Sequence, residues 1–195
     1  MFSIETLTPP ESTPISVDEL TEHLRLNDPT ENSLLEGWIS AATTLFEGRT
    51  GYILVDSEYR LNLDHWPPAV IYIPRQPVTE VSLVEYLDPD GDWRELDSDH
   101  YGVDVSGVPA RVVFEPSFTY PGLHASRLPT VRVTFRAGHD ADVPTLAAQW
   151  VKLVAAYWYG QRESHTDVNY QEVPVGYEAI ISQYVTGVRE DWNER

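Results

Sequence analysis

Hydrophobic residues recur at helical spacing near both ends of the chain and alternate with polar residues in between. From residue 34 to 46 the apolar side chains fall on one face of a helix, and from 146 to 158 a second apolar stripe repeats this spacing. The segments between these stripes alternate with the two-residue period of a β-strand. The pattern therefore predicts helices, then a β-rich middle, then helices again.

Local signals predict where the helices begin and end. Ser16 and Glu19 have the spacing of a capping box, which predicts a short helix over 17–24. Pro29 fits the first position of a second helix, and Gly51 supplies the backbone freedom that its C-terminal cap requires. A long helix is predicted over 144–160, and a last one over 177–185.

The middle of the chain contains about seven predicted strands, each bounded by proline, glycine or aspartate. They cover 59–63, 69–73, 78–87, 93–96, 101–105, 111–114 and 131–135. Short strands at such regular intervals are typical of an antiparallel sheet or a small barrel. Because no helical segment separates them, the pattern argues against a parallel doubly wound sheet.

These elements predict an α+β fold, in which a helical bundle carries a β-rich antiparallel elaboration in its middle. The bundle consists of two N-terminal helices, the long helix and one C-terminal helix. We expect an extended arm over 1–15, a single domain over 16–160 and a terminal segment over 161–195. The domain contains helices within 17–48, a β-rich insertion over 52–136 and the helix 144–160.

The charge of the chain restricts its partners. Asp and Glu number 31 against 13 Lys and Arg, which gives a formal net charge of −18. Such a charge repels phosphate backbones and anionic lipids, so we expect neither sequence-independent DNA binding nor membrane association. The sequence contains no cysteine, which excludes thiol nucleophiles and cysteine-based zinc sites.

Motifs for catalysis or for metal binding are weak. The histidines are dispersed, and the acidic segment 139–142 before a helix is more typical of an N-cap than of a metal site. The loop 88–92 has carboxylates at alternate positions, but its glycine is fourth where a calcium-binding EF-hand loop requires it sixth, so a hairpin turn is favoured. We predict no catalytic residue, no metal and no cofactor, and hence no enzyme. A carboxylate-based or calcium-binding enzyme remains the alternative.

Aromatic residues are abundant, with 6 Trp, 11 Tyr and 5 Phe. Several lie in or near the last predicted helix, which has little of its own to pack against: Tyr170, Tyr177, Tyr184 and Trp192. Tyrosine and tryptophan dominate protein–protein contacts, so these residues indicate a partner-binding segment. The alternative is that Tyr177 and Tyr184 fix the last helix to its own domain.

Four blocks of sequence, in order and at matching spacing, resemble the head–tail connector proteins of tailed phages. They lie at 15–26 with 47–51, at 74–78 with 84–88 and Gly91, at 133–138 with 143–144 and 157–163, and at 173–176. Members of this family, also called adaptors, occur in prophages and gene transfer agents as well.

The resemblance implies a structural virion protein of the phage neck, made in the host cytoplasm. It implies a homo-oligomeric ring of twelve copies under the portal protein, which extends the DNA channel and joins the head to a stopper or tail-completion protein. DNA would pass through the lumen without specific binding. The C-terminal segment would dock onto the portal, with this expected interface: Tyr170, Tyr177, Tyr184, Arg189 and Trp192. The alternative is another virion assembly or tail-completion protein.

Overall fold

A computed structural model describes residues 1–26, 31–161 and 175–186. They form two compact units. Met1–Pro10 and Asp56–Gly138 form the first, called here the β unit. Glu11–Val55 and His139–Val185 contribute to the second, the helical unit. Helices and antiparallel strands both occur, which confirms the predicted α+β class.

The helical unit contains four described helices: α1 (Val17–Leu24), α2 (Asn32–Thr50), α3 (Thr145–Gln161) and α4 (Val175–Tyr184). The predicted capping box is present, because the Ser16 hydroxyl accepts from the Glu19 amide at 3.1 Å while the Glu19 carboxylate accepts from the Ser16 amide at 2.8 Å. Gly51 ends α2 with a left-handed φ of 71°. The predicted start of α2 at Pro29 lies outside the described residues.

The two apolar stripes form one core in the helical unit. From α2 it receives Leu35, Ile39, Ala42 and Phe46, and from α3 Ala147, Trp150, Val151 and Val154, all fully buried. Ile15 and Leu20, at the beginning of the unit, pack against the same core. The apolar stripes that predicted the helices are therefore the helix faces that are buried in the core.

The β unit contains eight described strands in two antiparallel sheets. The strands are β1 (Phe2–Thr8), β2 (Ser57–Leu63), β3 (Val70–Tyr72), β4 (Val78–Leu87), β5 (Trp93–Glu95), β6 (Tyr101–Asp104), β7 (Arg111–Phe114) and β8 (Val131–Ala137). The larger sheet has the order β1-β2-β8-β4-β5, and the smaller one the order β3-β7-β6. The predicted strands are confirmed, and their ends agree with the structure to within two residues.

The N-terminal arm contributes the edge strand β1. It pairs antiparallel with β2, from Phe2 opposite Leu63 to Thr8 opposite Glu58. The sequence predicted only an extended segment here, because the pairing partners lie 50 or more residues away in the chain. Strand formation depends on such cross-strand contacts more than on local preference.

Candidate functional site

Helix α4 was expected to present aromatic residues to a partner, and the structure shows what its described side chains contact. The Tyr184 ring lies 5.3 Å from the Phe46 ring and 4.9 Å from the Tyr52 ring, both edge-on. Burial raises the pKa of the Tyr52 hydroxyl, and the nearby Tyr184 raises it further. Edge-to-face pairs of this kind stabilise packing beyond the area they bury.

Two further contacts fix α4 to the core of the helical unit. Ile181 is only 4% exposed and belongs to this core. The indole Nε1 of the fully buried Trp150 donates to the Tyr177 carbonyl oxygen at 3.0 Å. A buried indole N–H requires an acceptor, and here the backbone of α4 supplies it.

An ion pair joins α4 to α2 at the surface of the helical unit. The Arg49 guanidinium donates to both Glu178 carboxylate oxygens, at 2.6 and 2.7 Å. These bonds lower the pKa of Glu178 and raise that of Arg49. The bidentate geometry restricts the orientation of α4, although both side chains remain partly exposed.

The expected portal interface therefore divides into two parts. Tyr177 and Tyr184 are half-buried against the core of their own unit. Tyr170, Arg189 and Trp192 lie outside the described residues. Three residues that fix α4 were not predicted from the sequence, namely Arg49, Glu178 and Ile181. The spacing of residues 177, 181 and 184, which places them on one helical face, was the signal for Ile181.

His139, the first residue of the acidic segment 139–142, has a partner within the helical unit. Its Nε2 lies 3.0 Å from the Tyr52 hydroxyl. Burial lowers the pKa of His139, against an opposing effect of Asp142. Throughout the described residues, no three His, Cys, Asp or Glu side chains are grouped so that they could hold a metal ion.

The Asp88–Asp92 loop forms the turn between β4 and β5. One Asp88 carboxylate oxygen accepts from the amides of Asp90 and Asp92, at 3.0 and 2.9 Å, and the other accepts from Arg94 at 2.9 Å. The Asp92 amide and the Arg94 guanidinium lower the pKa of Asp88. Asp88, which would be the first ligand of a calcium-binding loop, thus uses its carboxylate to hold the hairpin turn. Gly91 in the same turn has a φ of 94°.

No described helix is both long and apolar enough to cross a membrane. The described part of the chain thus offers packing contacts, a surface ion pair and a tight turn. Among the functions considered from the sequence, assembly is the one that the aromatic residues and the family resemblance indicate.

Comparisons with known proteins support this view. No family model matches the sequence, and no curated protein matches it. Solved structures do match. A chain from the neck of an empty gene transfer agent (GTA) particle, computed with C6 symmetry, has a TM-score of 0.78 at 26% identity, with 96% of each chain covered.

Two other structures match over a similar length. A chain in the virion of a native GTA particle has a TM-score of 0.75 at 25% identity, covering 95% of this chain and 96% of that one. A chain in the neck of a native GTA particle, computed with C12 symmetry, has a TM-score of 0.71 at 26% identity, covering 97% and 96%. Since the likeness in sequence and fold extends over nearly the whole length of both chains, the predicted resemblance to head–tail connector proteins of phage-like particles is confirmed.

Proposed function

We propose that this chain is a structural component of a virion neck, the head–tail connector that forms a ring under the portal. The observation that carries the proposal is the match to GTA neck and virion chains over 95–97% of this chain. A match of that extent includes both units, so it does not rest on a common helical bundle alone. Two of the matched neck structures were computed with C6 and C12 symmetry, which supports a closed ring of copies.

In this proposal the ring extends the DNA channel and works by assembly, without catalysis. Twelve copies, each with a formal charge of −18, would surround the DNA with a strongly acidic protein. Phosphate-neutralising contacts hold proteins on DNA, and a surface rich in carboxylates does not supply them. DNA could therefore pass the ring without being bound to it.

The portal-docking role is assigned to the end of the chain, with the partners proposed as the portal on one side and a stopper or tail-completion protein on the other. Within the expected interface, Tyr177 and Tyr184 are needed for packing of α4. A deletion from residue 170 onward would therefore damage the helical unit itself. The segment that can be tested without removing α4 is 187–195, which includes Arg189 and Trp192.

The test compares two double variants in this segment. Arg189→Ala with Trp192→Ala should reduce attachment to portal-containing heads at least tenfold, because Arg and Trp are the residue types that dominate interfaces. Asn193→Ala with Glu194→Ala is the matched control and should attach normally. Attachment is measured by co-sedimentation with heads, and circular dichroism verifies the fold.

Each result has a defined meaning. Equal attachment of both variants would show that the docking segment is elsewhere. The connector function is disproved if the unaltered chain attaches to no heads and is also absent from the neck of the particles that its source produces. Cryo-electron microscopy of such particles measures the second point directly and counts the copies in the ring.

A further inference from the structure

Exposed aliphatic side chains concentrate in one part of the β unit. Among the described residues, nine large hydrophobic side chains are exposed, and four of them lie within residues 103–113: Val103, Val105, Val108 and Val113. Val108 is the most prominent of the four, at 75% exposure. Scattered apolar residues are ordinary on a protein surface, but exposed apolar residues beside a groove indicate an interaction site.

Val108 lines a groove of about 560 Å³ on the outer face of the β3-β7-β6 sheet, and Val113 lies beside it, paired with the lining residue Val70. Val103 pairs with the buried Val112 and therefore lies on the other face of the sheet, in the strand β6. The pairing of Val70 with Val113 and of Tyr72 with Arg111 places alternate residues of β3 and β7 on this face. Ile71 and Val112 point the other way and are fully buried. The groove is lined by Pro68, Ala69, Val70, Tyr72, Gly107, Val108, Pro109 and Arg111.

The loop that carries Val108 is held in place by Asp104. One carboxylate oxygen of Asp104 accepts from the amides of Ser106 and Gly107, at 3.1 and 3.2 Å. The other accepts from Arg111 Nε at 3.1 Å. A loop that is already ordered loses little conformational freedom on binding, which favours tight association.

The charge of this region differs from that of the chain as a whole. Residues 101–114 contain one acidic residue, Asp104, and one basic residue, Arg111, and these two are paired. Among the residues that line the groove, Arg111 is the only charged one, and its charge is paired with Asp104. A second strongly acidic molecule can therefore approach the groove with little repulsion.

We propose that this groove, together with the exposed Val108 and Val113 on the same face and called here the sheet groove, forms the contact between neighbouring copies in the ring, with a second copy of this chain as the occupant. This inference rests on the proposed function, because a closed cyclic ring is built from contacts between two different surfaces of each copy. Copies that each carry −18 repel one another, so a stable contact requires an apolar surface with few carboxylates on at least one side. The sheet groove has both properties.

The absence of cysteine allows a direct test, because Val108→Cys creates a single thiol in each chain. This thiol is labelled with a benzophenone photocrosslinker, and the labelled protein is incorporated into neck-containing particles in place of the unaltered chain. Leu128→Cys is the matched control: Leu128 is also in the β unit, is 69% exposed and precedes a proline, but it does not line the groove. Crosslinked products are identified by mass spectrometry.

The proposal expects a crosslink from position 108 to another copy of this chain, at a yield at least fivefold above that from position 128. A crosslink from position 108 mainly to a different neck protein overturns the proposal and identifies the groove as the binding site of that protein. Incorporation with no crosslink above the control also overturns it. In both cases the chain is still incorporated, so the connector function stands. Failure of the unaltered chain to incorporate removes the proposed function and this inference together.

A second pair of variants tests whether the contact is needed for assembly. Val108→Asp should reduce incorporation at least tenfold, since it places a carboxylate in an interface between acidic copies. Leu128→Asp should incorporate like the unaltered chain, and both should keep its melting temperature within a few degrees because the positions are exposed. Normal incorporation of Val108→Asp contradicts the proposal.

Discussion

The helical unit covers the apolar core of α2 and α3 with its own last helix, whereas in the β unit the outer face of the three-stranded sheet carries an apolar groove with Val108 and Val113 exposed beside it. In the helical unit, Ile181 and Tyr184 of α4 pack on the core that α2 and α3 form. In the β unit, the sheet groove has no comparable cover among the described residues. The difference shows that aromatic residues abundant in a sequence can belong to internal packing, while the uncovered groove is lined mainly by aliphatic residues and proline.

The largest effect should come from the centre of the helical unit. Trp150→Ala removes a fully buried indole, its ring contact with Phe46 and its bond to the Tyr177 carbonyl. We expect a loss of about 3–5 kcal/mol in the free energy of unfolding, measured by chemical denaturation. Trp93→Ala is the control, because Trp93 is half-exposed in the β unit and stacks on Arg132 at 3.7 Å. It should cost about 1 kcal/mol, and equal losses would contradict the contrast between a closed core and an open sheet.

Tyr184→Ala should have the next largest effect. It removes two edge-to-face ring contacts that fix α4, so we expect a loss of about 2 kcal/mol in stability. Amide exchange of residues 175–184 should accelerate more than that of α3. Val185→Ala, at an exposed neighbouring position, should leave both measurements unchanged. If Tyr184→Ala keeps full stability but loses attachment to heads, Tyr184 acts in docking and not in packing.

The ion pair of Glu178 should affect the pH dependence of the helical unit. Bonds from Arg49 keep the folded pKa of Glu178 below its ordinary value of 4.5, so the pair stabilises the fold above that pH and this contribution is lost as the pH falls. Glu178→Gln should therefore melt at a lower temperature than the unaltered chain at pH 7, and the difference should shrink toward pH 3. The exposed Glu36→Gln serves as the control. A constant difference from pH 7 to pH 3 would rule out the ion pair as its cause.

The smallest effect on stability should come from the rim of the sheet groove. Val108→Ser changes an exposed side chain and should alter the free energy of unfolding by less than about 0.5 kcal/mol. Val112→Ala, on the buried face of the same sheet, should cost more than about 1 kcal/mol. A large loss in Val108→Ser would mean that the valine is part of the core of its own chain.

Much of the fold was predictable from local signals. The capping box at Ser16 predicted α1, and the alternation over 78–87 predicted β4, with bounds that the structure reproduces. The division into two sheets was not predictable, because the partners of each strand are far apart in sequence. Leu61, for example, pairs with Val133. The pattern of a strand indicates which face is buried, but it does not identify its neighbour.

The candidate site was less predictable than the fold. The aromatic residues indicated α4 as a partner-binding segment, but tyrosine and tryptophan occur in cores as well as in interfaces. The ring contacts of Tyr184 in the structure distinguish the two possibilities. The sheet groove gave no signal in the sequence, because Val112 and Val113 look alike. Their exposures, 0% and 37%, differ because the sheet has a packed face and an open face.

The way the helical unit is assembled from two distant parts of the chain has a consequence for synthesis on the ribosome. Helix α2 ends at Thr50, and α3, which covers its apolar face, begins at Thr145. At about 5–20 residues per second, translation of the intervening segment takes roughly 5–20 s. During that interval the nascent α2 carries an uncovered hydrophobic face. We therefore expect the nascent chain to bind cellular chaperones until α3 emerges, which ribosome profiling of chaperone-bound chains would detect.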